Sequence, residues 1–216
     1  MKKKYLIGVD EVGRGPVAGP VAVGVVAYEV SDEKFLRDKM TEARDSKKMT
    51  EKRREKVFAV LQELKGVEGG GGEAATKKPK IFAKVSFVSA QEIDKFGIVP
   101  SIQKALNSSL EKILSEIEVE ENFENIFLKL DGGLKFHEKI KNQETIIKGD
   151  DKEFVISLAS IVAKVVRDSE MKKMAKKYPE YFLEKHKGYG TKAHMEAIKK
   201  NGLTKIHRKT FLKRFL

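Results

Sequence analysis

Segments with strand-like and helix-like patterns alternate along this 216-residue chain, and their order restricts the fold more than any other feature. Residues 5–9 and 20–28 are rich in β-branched side chains and flank a turn with glycine and proline, which predicts two strands. Ser89, with Glu92 three residues later, fits a helix capping box. Further strands are predicted over residues 81–88, 125–130 and 144–147, and helices over residues 51–64, 100–117 and 155–177. This order indicates an α/β fold, a mixed sheet flanked by helices.

The end of the chain differs in composition from the rest. From Tyr178 onward it is rich in Lys, Arg and aromatic residues, and Thr191 is placed to cap a short helix. We expect a main domain over residues 1–177 and a small helical carboxy-terminal appendage over residues 178–216. Residues 66–80 include four consecutive glycines and have no period, which predicts a flexible surface loop.

The chain is strongly basic. Forty-four Lys and Arg residues against 32 Asp and Glu residues give a net charge of +12, which favours a polyanionic partner because binding releases counterions. Taken alone, this charge is equally consistent with a solvated basic surface. The lack of cysteine excludes a disulfide framework, a thiolate zinc site and a cysteine nucleophile. The first apolar run is too short for a signal peptide and no stretch has the length of a membrane span, so we expect a cytoplasmic protein.

Acidic residues end three of the predicted strands, each near a glycine: Asp10 with Glu11, Asp131, and Asp150. Because ligands bind at the strand ends of α/β sheets, these carboxylates can converge on one point. They repel one another there unless a cation lies between them. Mg²⁺ or Mn²⁺ is the natural cation, since the four histidines are not clustered with the carboxylates. The alternative is that each acid simply forms a turn. Consecutive strand residues point to opposite faces, so Glu11 can share the site only if the strand ends or twists there.

Six ordered blocks of sequence contain or accompany these carboxylates. They are DEVGRGP at residues 10–16 with AGP at 18–20, DSKK at 45–48, DG at 131–132, KGD at 148–150, ASIVAKVVRD at 159–168 and HKGYGT at 186–191. These blocks resemble those of the type 2 ribonucleases H, and the resemblance extends over residues 5–207. Only the glycine-rich loop near residues 66–80 is unlike the usual pattern. Because the chain opens directly on the first block, without the additional amino-terminal domain of ribonuclease HIII, the resemblance favours ribonuclease HII.

The resemblance implies a ribonuclease H-like catalytic domain over residues 1–177 and an endonuclease activity. It implies hydrolysis of the RNA strand of RNA/DNA hybrids and nicking of DNA 5′ of embedded ribonucleotides, which leaves 3′-hydroxyl and 5′-phosphate ends. Such an enzyme uses two divalent ions, Mg²⁺ or Mn²⁺, and serves ribonucleotide removal in DNA replication and repair. The catalytic, metal-binding residues carried over from the family are Asp10, Glu11, Asp131 and Asp150.

The same resemblance assigns substrate contacts to residues whose own pattern leaves them undecided. It implies that Gly13, Arg14 and Gly15 read the 2′-hydroxyl that separates RNA from DNA, and that Tyr189 contacts the ribose at the RNA-to-DNA junction. Without it, the Gly-Arg-Gly pattern predicts only a turn, and Tyr189 is interpreted as a surface aromatic. For Lys47 or Lys48 alone, a solvated charge is as good an interpretation as a phosphate contact. The candidate phosphate contacts are Ser46, Lys47, Lys48 and Lys164.

Other conspicuous residues have structural interpretations. Asp168 lies well inside a predicted helix, which indicates a supporting role. The histidines of the basic tail, His186, His194 and His207, lack metal-ligand spacing and are expected to be structural or to face phosphates. Residues 210–216 could dock on a sliding clamp, but basic surface with two core aromatics is the favoured interpretation.

The expected partners are RNA/DNA hybrids and DNA with single ribonucleotides, bound by a monomer that does not contact a membrane. Two other function classes stay open. A transposase or resolvase nuclease of the same superfamily would share the carboxylates but would not need the Gly-Arg-Gly and tyrosine blocks. A non-catalytic RNA-binding or ribosome-associated protein would explain the charge but not the carboxylates.

Overall fold

A five-stranded mixed sheet lies at the centre of the fold, as the order of strands and helices predicted. The computed structural model describes residues 2–43, 49–65, 79–134 and 140–213. The strands are β1 (Tyr5–Val12), β2 (Val21–Glu29), β3 (Ile81–Val88), β4 (Ile126–Asp131) and β5 (Gln143–Ile146). Their order across the sheet is β3-β2-β1-β4-β5. The β1–β2 and β2–β3 pairs are antiparallel, whereas the β1–β4 and β4–β5 pairs are parallel.

Helices cover the sheet and form the end of the chain. Those beside the sheet are α1 (Glu33–Lys39), α2 (Glu51–Lys65), α3 (Ala90–Phe96), α4 (Ile98–Leu114), α5 (Gly149–Lys152) and α6 (Phe154–Lys177). The carboxy-terminal ones are α7 (Leu183–His186), α8 (Lys192–Asn201) and α9 (Lys209–Leu212). Within the described residues, no helix is long and apolar enough to cross a membrane.

The central strand β1 ends beside β4. The two strands run parallel, with Val9 opposite Leu130, so their carboxyl ends meet at the same edge of the sheet. Asp10 directly follows Val9, and Asp131 directly follows Leu130. The register of this one strand pair therefore brings the two acidic residues together.

Both faces of the sheet are buried. One face packs Ile7 and Val9 of β1 against α4, through residues such as Leu106. The other face packs Leu6 against α1, α2 and α6, through residues such as Leu36. Burial on both faces explains why all nine residues of β2 are buried and why its sequence is apolar without alternation.

The helix α6 lies unusually near the backbone of the sheet because two strand glycines face it. A Cβ at Gly24 would lie 2.6 Å from the carbonyl oxygen of Ala159, and a Cβ at Gly8 would collide with the backbone of Val155. The first ten residues of α6 are all buried. This packing also brings Ser160 of the helix to the end of β1.

The carboxy-terminal appendage shares a hydrophobic core with the loop that follows β1. In this core, Val17 and Ala18 from the loop pack with Tyr181 and Leu212 from the appendage. The amides of Val17 and Ala18 also both donate hydrogen bonds to the carbonyl of Gly188, at 2.9 and 3.1 Å. The loop and the appendage are therefore fixed to one another, while the domain division at residue 177 stays a prediction.

Two local elements differ from the sequence-based expectations. The helix α1 was not predicted, because it buries only Leu36 and so lacks an apolar period. Asp150 does not end a strand: β5 ends at Ile146, and Asp150 lies in the short helix α5. Lys148, immediately before α5, has a φ of 56°, so the chain turns sharply between the strand and the helix.

The predicted helix signals are confirmed where the structure describes them. The Ser89 side chain accepts a hydrogen bond from the Glu92 amide and the Glu92 side chain accepts one from the Ser89 amide. The Thr191 side chain caps α8 by accepting a hydrogen bond from the His194 amide. Most of the predicted loop, residues 66–78, lies outside the described residues.

We expect Gly8→Ala to destabilise the fold by about 1–3 kcal/mol, which is the usual cost of overpacking a dense core. The added methyl group meets the backbone of Val155, which cannot rotate away. The measurement is the free energy of unfolding in urea. Gly133→Ala is the matched control, because no atom of the described residues lies within 4 Å of a Cβ built at Gly133, and its effect should stay below about 1 kcal/mol. Equal stability of the two variants would contradict the close packing of α6 on β1.

Candidate active site

An open pocket lies at the carboxyl end of β1. Acidic, basic and aromatic side chains from five parts of the chain meet there. Its lining consists of Asp10, Glu11, Val12, Gly13, Arg14, Gly15, Arg54, Asp131, Ser160, Lys164 and Tyr189. The structure thus brings together most of the site residues predicted from the sequence.

Asp10 is the most deeply placed acid of the pocket and is 5% exposed. Its Oδ1 accepts a hydrogen bond of 2.8 Å from the Glu11 amide, and the Ser160 side chain is a second hydrogen-bond partner. Burial raises the pKa of Asp10 well above its ordinary value, and the charges of Asp131, Glu11 and Asp150 raise it further. The other three predicted acids therefore all act electrostatically on Asp10.

Asp131 is fixed by the backbone of the next acidic segment. Its Oδ1 accepts a hydrogen bond of 2.6 Å from the Gly149 amide. A Cβ at Gly149 would lie 3.3 Å from that same oxygen and 2.6 Å from Ile156, so this position needs glycine. Asp150, the next residue, is 1% exposed and lies outside the pocket lining, behind its surface.

Glu11 reaches the pocket although it is the strand neighbour of Asp10. The strand continues through Val12 and ends at Gly13, whose φ is +85°. The Glu11 Oε1 lies 3.5 Å from the Arg14 guanidinium, while its Oε2 is buried and has no hydrogen-bond partner among the described residues. Burial raises the pKa of Glu11, and the Arg14 charge partly opposes this shift.

These acids fit a divalent cation in chemistry, since they offer hard oxygen ligands and an excess of negative charge. The buried, unpartnered Glu11 Oε2 and the raised pKa of Asp10 indicate charge that the protein alone does not compensate. No three acidic or histidine side chains of the described residues already form a metal-binding cage.

The Gly13–Gly15 loop rests on two buried arginines that the sequence analysis did not assign to the site. A Cβ at Gly13 would collide with the Arg167 guanidinium. The Arg208 guanidinium donates hydrogen bonds to the carbonyls of Gly13 and Arg14, at 2.7 and 3.0 Å. Both guanidinium groups belong to residues that are 0% exposed. Among 44 basic residues nothing in the sequence distinguishes a buried arginine from a surface one.

Tyr189 lies at the rim of the pocket and is 45% exposed. A Cβ at Gly15 would lie 3.8 Å from the Tyr189 ring, so the ring faces the glycine loop. The Tyr189 carbonyl contacts Nδ1 of His194 at 2.9 Å. The appendage thus carries the aromatic residue to the same pocket as the acids of the sheet.

The three histidines of the appendage form a cluster in which His194 and His207 are buried. The His186 and His194 rings stack at 4.3 Å between centroids, and the Tyr181 ring packs on His207 at 4.8 Å. His194 and His207 are 0% and 1% exposed. Burial lowers the pKa of all three histidines, that of His194 to about 4. Their burial supports the structural interpretation.

Of the remaining residues predicted from the sequence, the structure describes Lys164 and Asp168 but not Ser46 and Lys47. Lys164 lines the pocket and lies 3.0 Å from Asp168 one helical turn later, which agrees with a supporting position for Asp168. Residues 46–48, which include the predicted contacts Ser46 and Lys47, lie outside the described residues. The pocket also contains Ser160 and Arg54, which were not predicted as site residues.

We expect Asp10→Asn to raise the melting temperature of the metal-free protein. The pKa of Asp10 is higher in the folded protein than in the unfolded chain. The contribution of this carboxyl group to folding stability is therefore fully present below its unfolded pKa of about 3.9, and it is lost as pH rises through the folded pKa. The difference between variant and parent should therefore widen with pH. Thermal unfolding in EDTA at several pH values tests this, with the exposed Asp151→Asn as control. A variant no more stable than the parent at any pH would contradict the account.

Comparison with known proteins identifies the family. The profile described as Ribonuclease HII matches residues 7–214. The Ribonuclease HII of Fusobacterium nucleatum is 41% identical over 218 residues, covering 100% of this chain and 89% of the relative. The ribonuclease H2 from Pyrococcus horikoshii OT3 has a TM-score of 0.67 and 27% identity, covering 98% of both chains.

A chain from the PCNA:RNase HII complex of Archaeoglobus fulgidus shares the fold. It has a TM-score of 0.66 and 23% identity, and the match covers 94% of this chain and 93% of that one. The sequence profile, the relatives and the five-stranded fold agree with one another over nearly the whole length. The chain therefore belongs to the ribonuclease HII family and is a ribonuclease H, a hydrolase that acts on RNA/DNA hybrids.

Proposed function

We propose that this protein hydrolyses the RNA strand of RNA/DNA hybrids and nicks DNA 5′ of embedded ribonucleotides by a two-metal-ion mechanism. The products are 3′-hydroxyl and 5′-phosphate ends, and the activity serves ribonucleotide removal during DNA replication and repair. The observation that carries the proposal is the position of Asp10. It is buried, electrostatically coupled to three other acids, and lies in a pocket whose rim carries an arginine loop and an exposed tyrosine.

The four acids Asp10, Glu11, Asp131 and Asp150 would hold the ions, either Mg²⁺ or Mn²⁺. When bound, two such ions activate the attacking water and stabilise the leaving 3′ oxygen of an in-line displacement. Asp10 would be the central residue of this ligand set, because it is the acid on which the charges of the other three act. The hydrogen bond from the Gly149 amide orients Asp131 toward this centre.

The sugar would be read by backbone and ring surfaces beside the acids. Gly13 and Gly15 have no side chains, so the backbone can approach a ribose closely, and the Arg14 side chain is 57% exposed at the pocket. Tyr189 faces Gly15 across the pocket entrance. A ribose held between the loop and the tyrosine would place the phosphate beside its 2′-hydroxyl near the metal ligands.

Positive side chains would guide the nucleic-acid backbone into the pocket. Lys164 and Arg54 line it, and the net charge of +12 supports binding through phosphate neutralisation. Ser46 and Lys47 stay candidate phosphate contacts from the segment outside the described residues. A non-catalytic basic protein would have no use for four coupled acids at the centre of this surface.

Clamp recruitment has support from one relative, since the Archaeoglobus fulgidus protein is described in complex with PCNA. In this chain, Phe211 is half-buried and packs on two of the hydrophobic cores, and Leu212 is 0% exposed. These two tail residues serve the fold, while residues 214–216 lie outside the described part. We therefore propose that Phe211 and Leu212 are not the contact for a clamp. We also propose that the enzyme is a monomer.

Asp131→Asn should reduce metal-dependent cleavage by at least about a hundredfold, the usual loss when one electrostatic element of a catalytic site is removed. The substrates are a continuous RNA/DNA hybrid and a DNA duplex with one ribonucleotide, assayed at saturating Mg²⁺ and Mn²⁺. Asp151→Asn should cleave like the parent, because Asp151 is exposed and outside the pocket. The proposal fails if Asp131→Asn retains near-parental rates, or if the parent cuts neither substrate.

Tyr189→Ala should reduce kcat for a lone ribonucleotide by about 10- to 100-fold, because loss of a positioning surface misplaces the reacting groups. Cleavage of a long hybrid should fall less, since many registers offer alternative contacts. Phe182→Ala is the matched control, because Phe182 is also 45% exposed in the appendage but does not line the pocket. Equal losses on the two substrates would show that Tyr189 does not recognise the junction.

A further inference from the structure

Arg208 binds the loop after β1 from the far end of the chain. Its guanidinium donates hydrogen bonds to the carbonyls of Gly13 at 2.7 Å, Arg14 at 3.0 Å and Gly19 at 3.0 Å. These acceptors lie at both ends of the loop, more than 180 residues away in sequence. One buried side chain therefore closes the loop that forms the pocket rim.

The charge of Asp94 favours the protonated form of Arg208, but its carboxylate does not contact the guanidinium. Within the described residues Arg208 forms no ion pair, and all its hydrogen-bond acceptors are backbone carbonyls. Burial and, secondarily, the charge of Arg167 lower the pKa of Arg208 to about 9, which still leaves it protonated at neutral pH. Burying a cation without a directly paired acid lowers the stability of the fold. Neutral donors would therefore serve better if the only need were to hold the loop in place.

The segment that carries Arg208 is itself held firmly. The Arg208 amide donates to the Val17 carbonyl at 2.8 Å, and the guanidinium lies 5.1 Å from the centre of the Phe211 ring. The amides of the next two residues donate to the Asp94 carboxylate at the end of α3, at 2.8 and 2.9 Å. Arg208 is thus a fixed donor rather than a mobile side chain that follows the loop.

The three hydrogen bonds determine where the loop amides point. A trans peptide plane places its carbonyl and its N–H on opposite sides. Because Arg208 holds the Gly13 and Arg14 carbonyls inward, the amides of Arg14 and Gly15 are directed away from the guanidinium. Neither amide donates a hydrogen bond within the described residues, and both residues line the pocket. Two oriented donors are therefore available to an oxygen atom of the substrate.

We propose that Arg208 is a positioning residue that aims the Arg14 and Gly15 amides at the ribose, and so makes discrimination between ribose and deoxyribose depend on the carboxy-terminal appendage. This inference rests on the proposed role of the Gly13–Gly15 loop in sugar recognition. Lysine cannot replace Arg208, because a single ammonium lacks the planar fork that reaches three carbonyls at once.

The test compares the holoenzyme with Arg208→Lys in Mg²⁺. For each protein, KM is measured on a duplex with one ribonucleotide, and the inhibition constant of the same duplex in all-DNA form is measured by competition. The ratio of the inhibition constant to KM reports sugar discrimination. We expect this ratio to fall about fivefold in the variant, the effect of one lost hydrogen bond, while the all-DNA inhibition constant stays unchanged. Unfolded protein contributes to neither constant, so loss of stability alone cannot move the ratio.

Tyr181→Phe is the matched control, because it removes a hydrogen bond of 2.9 Å to the Gly202 carbonyl within the appendage and keeps the ring that packs with Val17 and Ala18 of the loop. It should keep the parental ratio. If Arg208→Lys does not fold, Asp94→Asn is tested in its place. Asp94 binds the amides of the two residues after Arg208, so this substitution should loosen that segment and lower the ratio by a smaller factor. The inference is overturned if a folded Arg208→Lys variant keeps the parental ratio. If only Asp94→Asn folds, a parental ratio in that variant overturns it. A parent that shows no discrimination instead overturns the proposed sugar-reading role of the loop.

Discussion

Electrostatic repulsion among acids at the end of the central strand is the constraint on which the rest of the structure depends. Asp10 is almost fully buried, and three other carboxylates raise its pKa further. A fold that keeps such a group charged loses stability in doing so. The surrounding elements serve to hold the acids there: the β1–β4 register, the Gly149 amide on Asp131, and the Ser160 contact from α6. The repulsion that lowers the stability of the metal-free fold is relieved when a cation binds, and this relief adds to the cation affinity of a metal-dependent hydrolase.

The close approach of α6 to the sheet is the second requirement of the site. Two glycines in neighbouring strands let the helix backbone lie directly against β1 and β2. The same helix then supplies Ser160 and Lys164 to the pocket and Arg167 to the loop beneath it. A side chain at Gly8 would push away the helix that supports both the acids and the glycine loop. Packing and site geometry are therefore set by the same contact.

The appendage completes the pocket rather than merely ending the chain. It carries Tyr189 to the rim and Arg208 to the carbonyls of the Gly13–Gly15 loop. The buried histidine and tyrosine rings give it a rigid interior, and the Val17 and Ala18 bonds to Gly188 join it to the loop. Under the proposed function, sugar recognition would depend on the appendage and the loop, and metal binding on the acids of the sheet and α5.

The sequence by itself determined the fold class, the five strands, the capped helices and the acids that meet at one edge, because periodicity and strand-end position are local properties. It also carried the resemblance that the family comparison confirmed. It did not predict that Asp150 lies in a short helix behind the pocket, nor that α1 forms, since neither has an apolar period. Only the tertiary structure decided which of 44 basic residues are buried. Arg167 and Arg208 look like surface charges in the sequence, and their positions follow from hydrogen bonds to carbonyls in a distant loop, which no local pattern encodes.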